Sequence, residues 1–303
     1  MNTDPLNSKP INENTTDYDL SRFDGIYKLI KNEKIDFIKQ KIIEFARTKL
    51  PENKYFYLFM YKPNESINSF DSDTIYWAIS DCRDKDILLT INSNGGQIEP
   101  AYFISKICKE KSKNKFIASI PSRAKSAATL IALGADEIHM GSLSELGPID
   151  PQFKGLPALS LSSALECICD LCKRYPETSS MFAEYLSKTL TLEQLGYFER
   201  ISGSAEHYAQ RLLENKSGSL ANKPEKISHR LVYEYKDHAF VIDKDEAKEI
   251  FGSNVVKIDT DEYAIASEIY HFLEKVSLIL KYEKNLDLKI VGTIDQMDFV
   301  DIK

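Results

Sequence analysis

The chain has no basic excess. Its 303 residues carry 39 Lys and Arg against 46 Asp and Glu, a formal net charge of −7. That acidic balance argues against a phosphate-covered partner, so nucleic acid is not an expected ligand. Apolar runs near the ~20 residues that span a bilayer are also missing, and no transmembrane segment is expected. The opening stretch MNTDPLNSKPINENTTDYD has neither a basic block nor an apolar one, which is unlike a secretion signal. Neither end carries a lipidation motif. The expected compartment is the cytoplasm. Cysteine is scarce, with five in all, of which Cys167, Cys169 and Cys172 form a C-x-C-x-x-C cluster. Zinc sites draw ligand pairs from separate elements, and here no second cysteine pair exists. The cluster lies in a helical pattern, so it is expected to pack in the core, as cysteine commonly does. No metal or cofactor is expected. G-x-G-x-x-G is absent, which removes the usual signal for dinucleotide binding.

What is present is an ordinary globular composition, 43% apolar and 28% charged, long enough for one large domain or two ordinary ones. Residues 1–20 are polar and read as a disordered tail. KIDFIKQKIIEFARTK (34–49) places Ile35, Phe37, Ile38, Ile42, Ile43 and Phe45 near one stripe of a helix. Short apolar strands are expected at 54–61, 86–92, 115–121 and 136–140, with helices over 71–82, 98–110 and 126–135 between them. The helix at 71–82 should open on a capping Asp or Ser. Strands alternating with helices imply parallel pairing through right-handed crossovers, buried on both faces. From 160 to 236 the pattern is helical, with segments at 160–190, 191–201, 203–216 and 225–236. A short strand at 238–243, a helix at 244–252 closed by glycine, a strand at 254–258 and a long helix at 261–282 follow.

Three features carry chemistry. INSNGGQIEPA sets Gly95 and Gly96 between a strand end and a helix start, where backbone N–H groups can meet an anion. In a hydrolase that is an oxyanion hole; a plain βα turn explains it equally well. Ser126 opens SAATLIALGA, followed by small Ala127 and Ala128, and is either a nucleophile favoured by the helix dipole or an N-cap. SELGPIDPQ supplies Glu145 and Asp150 on a rigid turn that could return over the same strand ends.

Together, TINSNGGQIEPAYFISK, AKSAATLIALGADEIHMG and SELGPIDPQ resemble the Clp protease/crotonase superfold, and within it the serine dehydrogenase-type proteinase family, which is similar to signal peptide peptidase A without its anchor. LVYEYKDHAFVIDKDEA (231–247) is similar to a further motif of that family. The resemblance covers roughly residues 55–258. It implies an α/β fold, a spiral of β-β-α units over residues 21–158. A helical extension would fill 159–283, its short α/β segment at 238–258 packing on the core, and 284–303 would be a C-terminal tail. It implies a serine peptidase-like endopeptidase acting through Ser126, with oxyanion donors near Gly95, Gly96 and Ala127, a peptide or protein substrate, and a homo-oligomer. The chain departs from the family pattern at Ala128, where glycine is usual, and at KDHAF, where the family has P-S-H-G. Those departures keep a catalytically degenerate oligomeric scaffold of the same fold as the alternative. An acyl-CoA enzyme of the crotonase type would need a nucleotide groove that the sequence does not show.

A serine needs a base. His238 stands inside a matching motif and could pair with Asp150 or Asp243 as orienter. Lys154, Lys173 and Lys188 lie at a distance that suits a lysine base, Lys173 best; Lys125 is adjacent to the serine but would point elsewhere, with Glu145 or Asp150 balancing charge.

Overall fold

The computed structural model describes residues 18–80, 82, 84–153 and 156–302. Its elements run α1 (Phe23–Asn32), α2 (Ile35–Thr48), β1 (Phe56–Lys62), α3 (Ser69–Ile79), β2 (Ile87–Ser93), α4 (Ile98–Lys111), β3 (Phe116–Ile120), β4 (Arg123–Ala124), α5 (Ala127–Leu133), β5 (Glu137–Met140) and β6 (Glu145–Leu146). They continue with β7 (Gln152–Phe153), β8 (Leu156–Pro157), α6 (Ala158–Arg174), α7 (Ser179–Thr189), α8 (Leu192–Glu214), α9 (Pro224–His229), α10 (Lys244–Phe251), β9 (Val256–Ile258), α11 (Asp261–Lys284), β10 (Leu286–Gly292) and β11 (Met297–Asp301).

The main sheet has the order β11-β10-β1-β2-β3-β5-β9. From β1 to β9 every pairing is parallel, and β10 closes on β1 antiparallel. After β1, β2, β3 and β5 the chain sends a short second segment into a small side layer. Ile67 after β1 bridges Gly96 after β2, Ser93 at the end of β2 pairs with Ala124 of β4, and β4 pairs with β6. The repeating unit is therefore long strand, short strand, helix, which is the β-β-α spiral expected of an α/β Clp/crotonase-like fold.

β1 reads FYLFMYK because both of its faces are covered. Leu58 and Met60 enter the core under α3, α4 and α5, while Phe59 and Tyr61 enter a second core under α1, α2 and α11. Period-two alternation divides the strand between two apolar layers, so no polar alternation is seen. β2, ILLTINS, is buried at every position.

Several expectations need correction. The helix at 71–82 is α3, capped by Asn68; Asp71 is its third residue and accepts the Asn68 N–H, completing a capping box. The segment 160–190 breaks at Tyr175–Thr178, where Pro176 starts a short 3-10 turn, and the expected helices at 191–201 and 203–216 are one helix, α8 (Leu192–Glu214). The strand at 238–243 is a turn with a single antiparallel bridge, Ile242 to Leu146. Cys167 and Cys169 are exposed and Cys172 half-buried, so the cluster does not pack in the core. Residues 284–303 are no tail, because Leu286, Leu288 and Ile290 alternate with Asp287 and Lys289 and lay one face of β10 on the second core. Helix α11 belongs to that core rather than to an extension, and α8, α9 and α10 share the first core with the sheet. Of the expected tail 1–20, residues 1–17 lie outside the described residues, and Leu20 is buried against α1 and its neighbours.

Candidate active site

At the carboxyl ends of β1 and β2 lies a cleft of about 740 Å³. Gly95, Gly96, Ser126, Pro151, Gln152 and His238 face into it, opposite the loop 63–66 and residues Tyr197 and Ile201 of α8.

Ser126 joins β4 to α5 with φ 52° and ψ −121°. Five non-glycine residues among those described have positive φ, and the other four are Asn or Asp, which tolerate it. A serine there costs on the order of 1–3 kcal/mol of backbone strain, which persists only where the surroundings enforce it. The conformation also answers the capping question. Ser126 holds the N-cap position, but its side chain accepts no cap hydrogen bond. The hydroxyl is instead presented at a sharp strand-to-helix turn, half-buried in the cleft wall.

The strain is enforced from two sides. A Cβ on Gly95 (φ 101°) would lie 2.6 Å from the Lys125 carbonyl and 2.8 Å from Ser126 Cβ. Only glycine lets the two turns touch. Thr129 ties α5 to the ELGPID turn, its Oγ1 donating to the Ala124 carbonyl at 2.6 Å and accepting from Gly147 N–H at 3.0 Å. The sequence reading missed Thr129, although a threonine one turn into an otherwise apolar helix is a usable signal.

Gly96 is held by Ile67, which donates its N–H to Gly95 O and accepts from Gln97 N–H, both at 2.9 Å. In a parallel bridge of this kind the bracketed residue turns its own N–H and C=O to the opposite edge. A Cβ on Gly96 would fall 2.2 Å from Ile67 N, so side chains are excluded. Among the described residues, neither Gly96 N–H nor Ala127 N–H has a hydrogen-bond acceptor; Gly95 N–H is taken by Ser93 Oγ at 3.1 Å. Ala127 N lies 3.0 Å from the Cβ position of Gly95, so these donors crowd around Ser126.

His238 arrives from the other side. Ile242 and Leu146 exchange two backbone hydrogen bonds of 2.9 and 3.0 Å, and Ile149 N–H donates to Leu231 O, which lays the 231–242 segment along the ELGPID turn. There His238 Nδ1 meets Asp150 Oδ1 at 2.8 Å. Asp150 is buried and His238 about a quarter exposed. Nε2 has no protein partner among the described residues. The departure KDHAF is accommodated because Asp237 accepts the Ala239 N–H and closes the turn without positive φ. Ala128 is buried inside α5 and does not line the cleft, so the other departure leaves the site untouched.

The lysines go elsewhere. Lys173 is 77% exposed and paired with Asp170 on α6, away from the cleft, which corrects its candidacy; an amine so placed stays protonated and far from Ser126. Lys188 is an exposed partner of Glu184. Lys154 lies outside the described residues. Lys125 turns from Ser126 to meet Glu145 Oε2 and the Phe240 carbonyl, each at 3.0 Å, and so staples the histidine segment to the serine strand. Asp243, the alternative orienter, caps α10 instead. His139, expected to be structural, is buried on β5 between Thr260 and Glu137.

Residues 55–281 match the profile of a family described as ClpP-like SDH-type serine proteinase. The chain is 30% identical over 205 residues to an uncharacterized protein of Methanocaldococcus jannaschii, MJ0137, and 40% identical over 95 residues to a second from that organism, MJ1495. These alignments cover 67% and 31% of this chain, but only 63% and 32% of the two relatives. Among solved structures, a mutant of the 1510-N membrane-bound stomatin-specific protease superposes with a TM-score of 0.44 and 16% identity, covering 84% of this chain and 94% of that one. ClpP1 from Listeria monocytogenes gives 0.40 at 18% identity, covering 75% and 99%.

Proposed function

The chain belongs to the ClpP-like SDH-type serine proteinase family, and from that premise we propose that it hydrolyses peptide bonds through an acyl-enzyme on Ser126. The observation that carries this reading is His238, bonded to the buried Asp150, facing the cleft that holds Ser126 in its strained turn. An extended peptide would lie along the open edge at Gly96, adding a strand to the side layer. Nε2 of His238 would take the Ser126 hydroxyl proton as Oγ attacks the scissile carbonyl. Asp150, bonded to Nδ1, would hold the ring in that tautomer and stabilise the imidazolium. Gly96 N–H and Ala127 N–H, both without acceptors among the described residues, would be the donors to the tetrahedral oxyanion. The imidazolium would then protonate the departing amine, and water would release the acyl group by the same route. The same family membership supports a homo-oligomer, which sedimentation would test.

The test is turnover. Wild-type protein should convert a defined peptide mixture into products with new amino and carboxyl termini, read by mass spectrometry. Ser126→Ala, with an unchanged melting curve, should produce none. Equal turnover by the two proteins would refute the assignment.

A further inference from the structure

Beside the cleft, between α3 and α4, runs a groove of about 520 Å³. Its walls are apolar, formed by Tyr76, Pro100, Phe103 and Ile107. Gln97 and Glu99 line both cavities, so groove and cleft are continuous at the first turn of α4. Tyr76 and Phe103 are each more than half exposed. A contiguous exposed patch of this kind marks a binding surface.

The rim has a sign. Asp73 and Glu99 line the groove, and neither has an ion pair or hydrogen bond from its side chain among the described residues. Among the described residues, no lysine or arginine lines either cavity. Glu65, across the cleft, is by contrast neutralised by Lys62 and Lys289. An apolar slot edged by two unpaired carboxylates is complementary to an apolar side chain with a cation near it. Gln97 follows Gly96 directly in the chain and Glu99 stands two positions further, so a peptide lying along the Gly96 edge passes the mouth of the slot.

We infer that this groove is a substrate subsite, taking an aromatic or large aliphatic side chain of the bound peptide with a lysine or arginine within two residues of it facing Asp73 and Glu99. The inference rests on the peptidase reading for the path of the peptide. In an extended chain, side chains two residues apart share a face about 7 Å apart, which suits one residue in the slot and one at its rim.

Three fluorescent peptides, identical except for a Phe-Lys, Phe-Glu or Ser-Lys pair whose members stand two positions apart (Phe-x-Lys, Phe-x-Glu, Ser-x-Lys), would be titrated into Ser126→Ala protein and followed by anisotropy. Phe-Lys should bind best, Phe-Glu about 5-fold more weakly, as expected for two exposed ion pairs, and Ser-Lys about 10-fold more weakly from lost apolar burial. Asp73→Asn with Glu99→Gln should erase the lysine preference alone, and Phe103→Ser the phenylalanine preference alone. Equal affinities, no binding, or preferences that survive these substitutions overturn the inference. So does a fall in sedimentation coefficient on Phe103→Ser, which gives the groove to a second copy of the chain. Cleavage of the same peptides by wild-type protein separates the two claims. Selective binding without cleavage refutes the peptidase and keeps the subsite, and cleavage without selectivity does the reverse.

Discussion

Ser126 illustrates how far one residue can be read. In sequence it is a serine before small residues, equally suited to capping α5 or to attacking a carbonyl. The backbone separates the two. At ψ −121° the side chain accepts no cap hydrogen bond, so the hydroxyl is free to face the cleft. His238 and Asp150 are 88 positions apart and meet at 2.8 Å; no local pattern joins them, and only the order of family-like motifs suggested the pair. Lys173 failed because it is exposed at the end of α6 and paired with Asp170, and an amine that stays solvated cannot lose its proton near neutrality. If Asp150 fixes the His238 tautomer, Asp150→Asn should lower kcat by on the order of 10⁴ with little change in KM. Steady-state kinetics on a cleaved peptide would check this, and a loss confined to KM would assign Asp150 to binding instead.

At the scale of elements, the strands were legible and their ends were not. β2 shows as a continuous apolar run because both faces are covered. The start of α3 was misread because Asn68, Ser69, Asp71 and Ser72 all suit a cap, and the choice depends on a buried ion pair. Lys62 Nζ at the end of β1 reaches both oxygens of Asp71 at 3.0 and 2.9 Å, and both residues are buried. That pair fixes the loop 63–68, whose Ile67 grips Gly96. Asp71→Ala leaves the Lys62 charge buried without its main partner and should cost about 3–5 kcal/mol in urea unfolding. Lys62→Met with Asp71→Leu should cost less, since neither charge then remains to be solvated. An equal loss in both would show that the pair's geometry contributes nothing beyond packing. The exposed cysteines of α6 mark the same limit, because helical periodicity shows a face but not whether anything covers it.

Across the whole molecule, two apolar layers enclose one sheet, and an amine at the margin of the first layer gives the fold a pH response. Lys216, after α8, donates to the Ala135 carbonyl between α5 and β5. Burial pushes its amine down to about 7 from 10.5, with Asp136 opposing the shift and Lys109 adding to it. The unfolded chain keeps that proton up to about pH 10.5, the folded chain only to about 7, so unfolding takes up a proton between them. Stability should therefore rise with pH across this window, by at most about 1.4 kcal/mol per unit. Lys216→Met should flatten that limb, as read from unfolding free energies at pH 7, 8 and 9. An unchanged slope would mean that Lys216 is solvated.

The central claim is that Ser126 is a nucleophile served by His238. Reaction with a fluorophosphonate, with the adduct located by peptide mass spectrometry, tests it most directly. A single adduct on Ser126 is expected, absent in Ser126→Ala and formed at least about 100-fold more slowly in His238→Ala. An adduct on another residue, or undiminished labelling of His238→Ala, would contradict it.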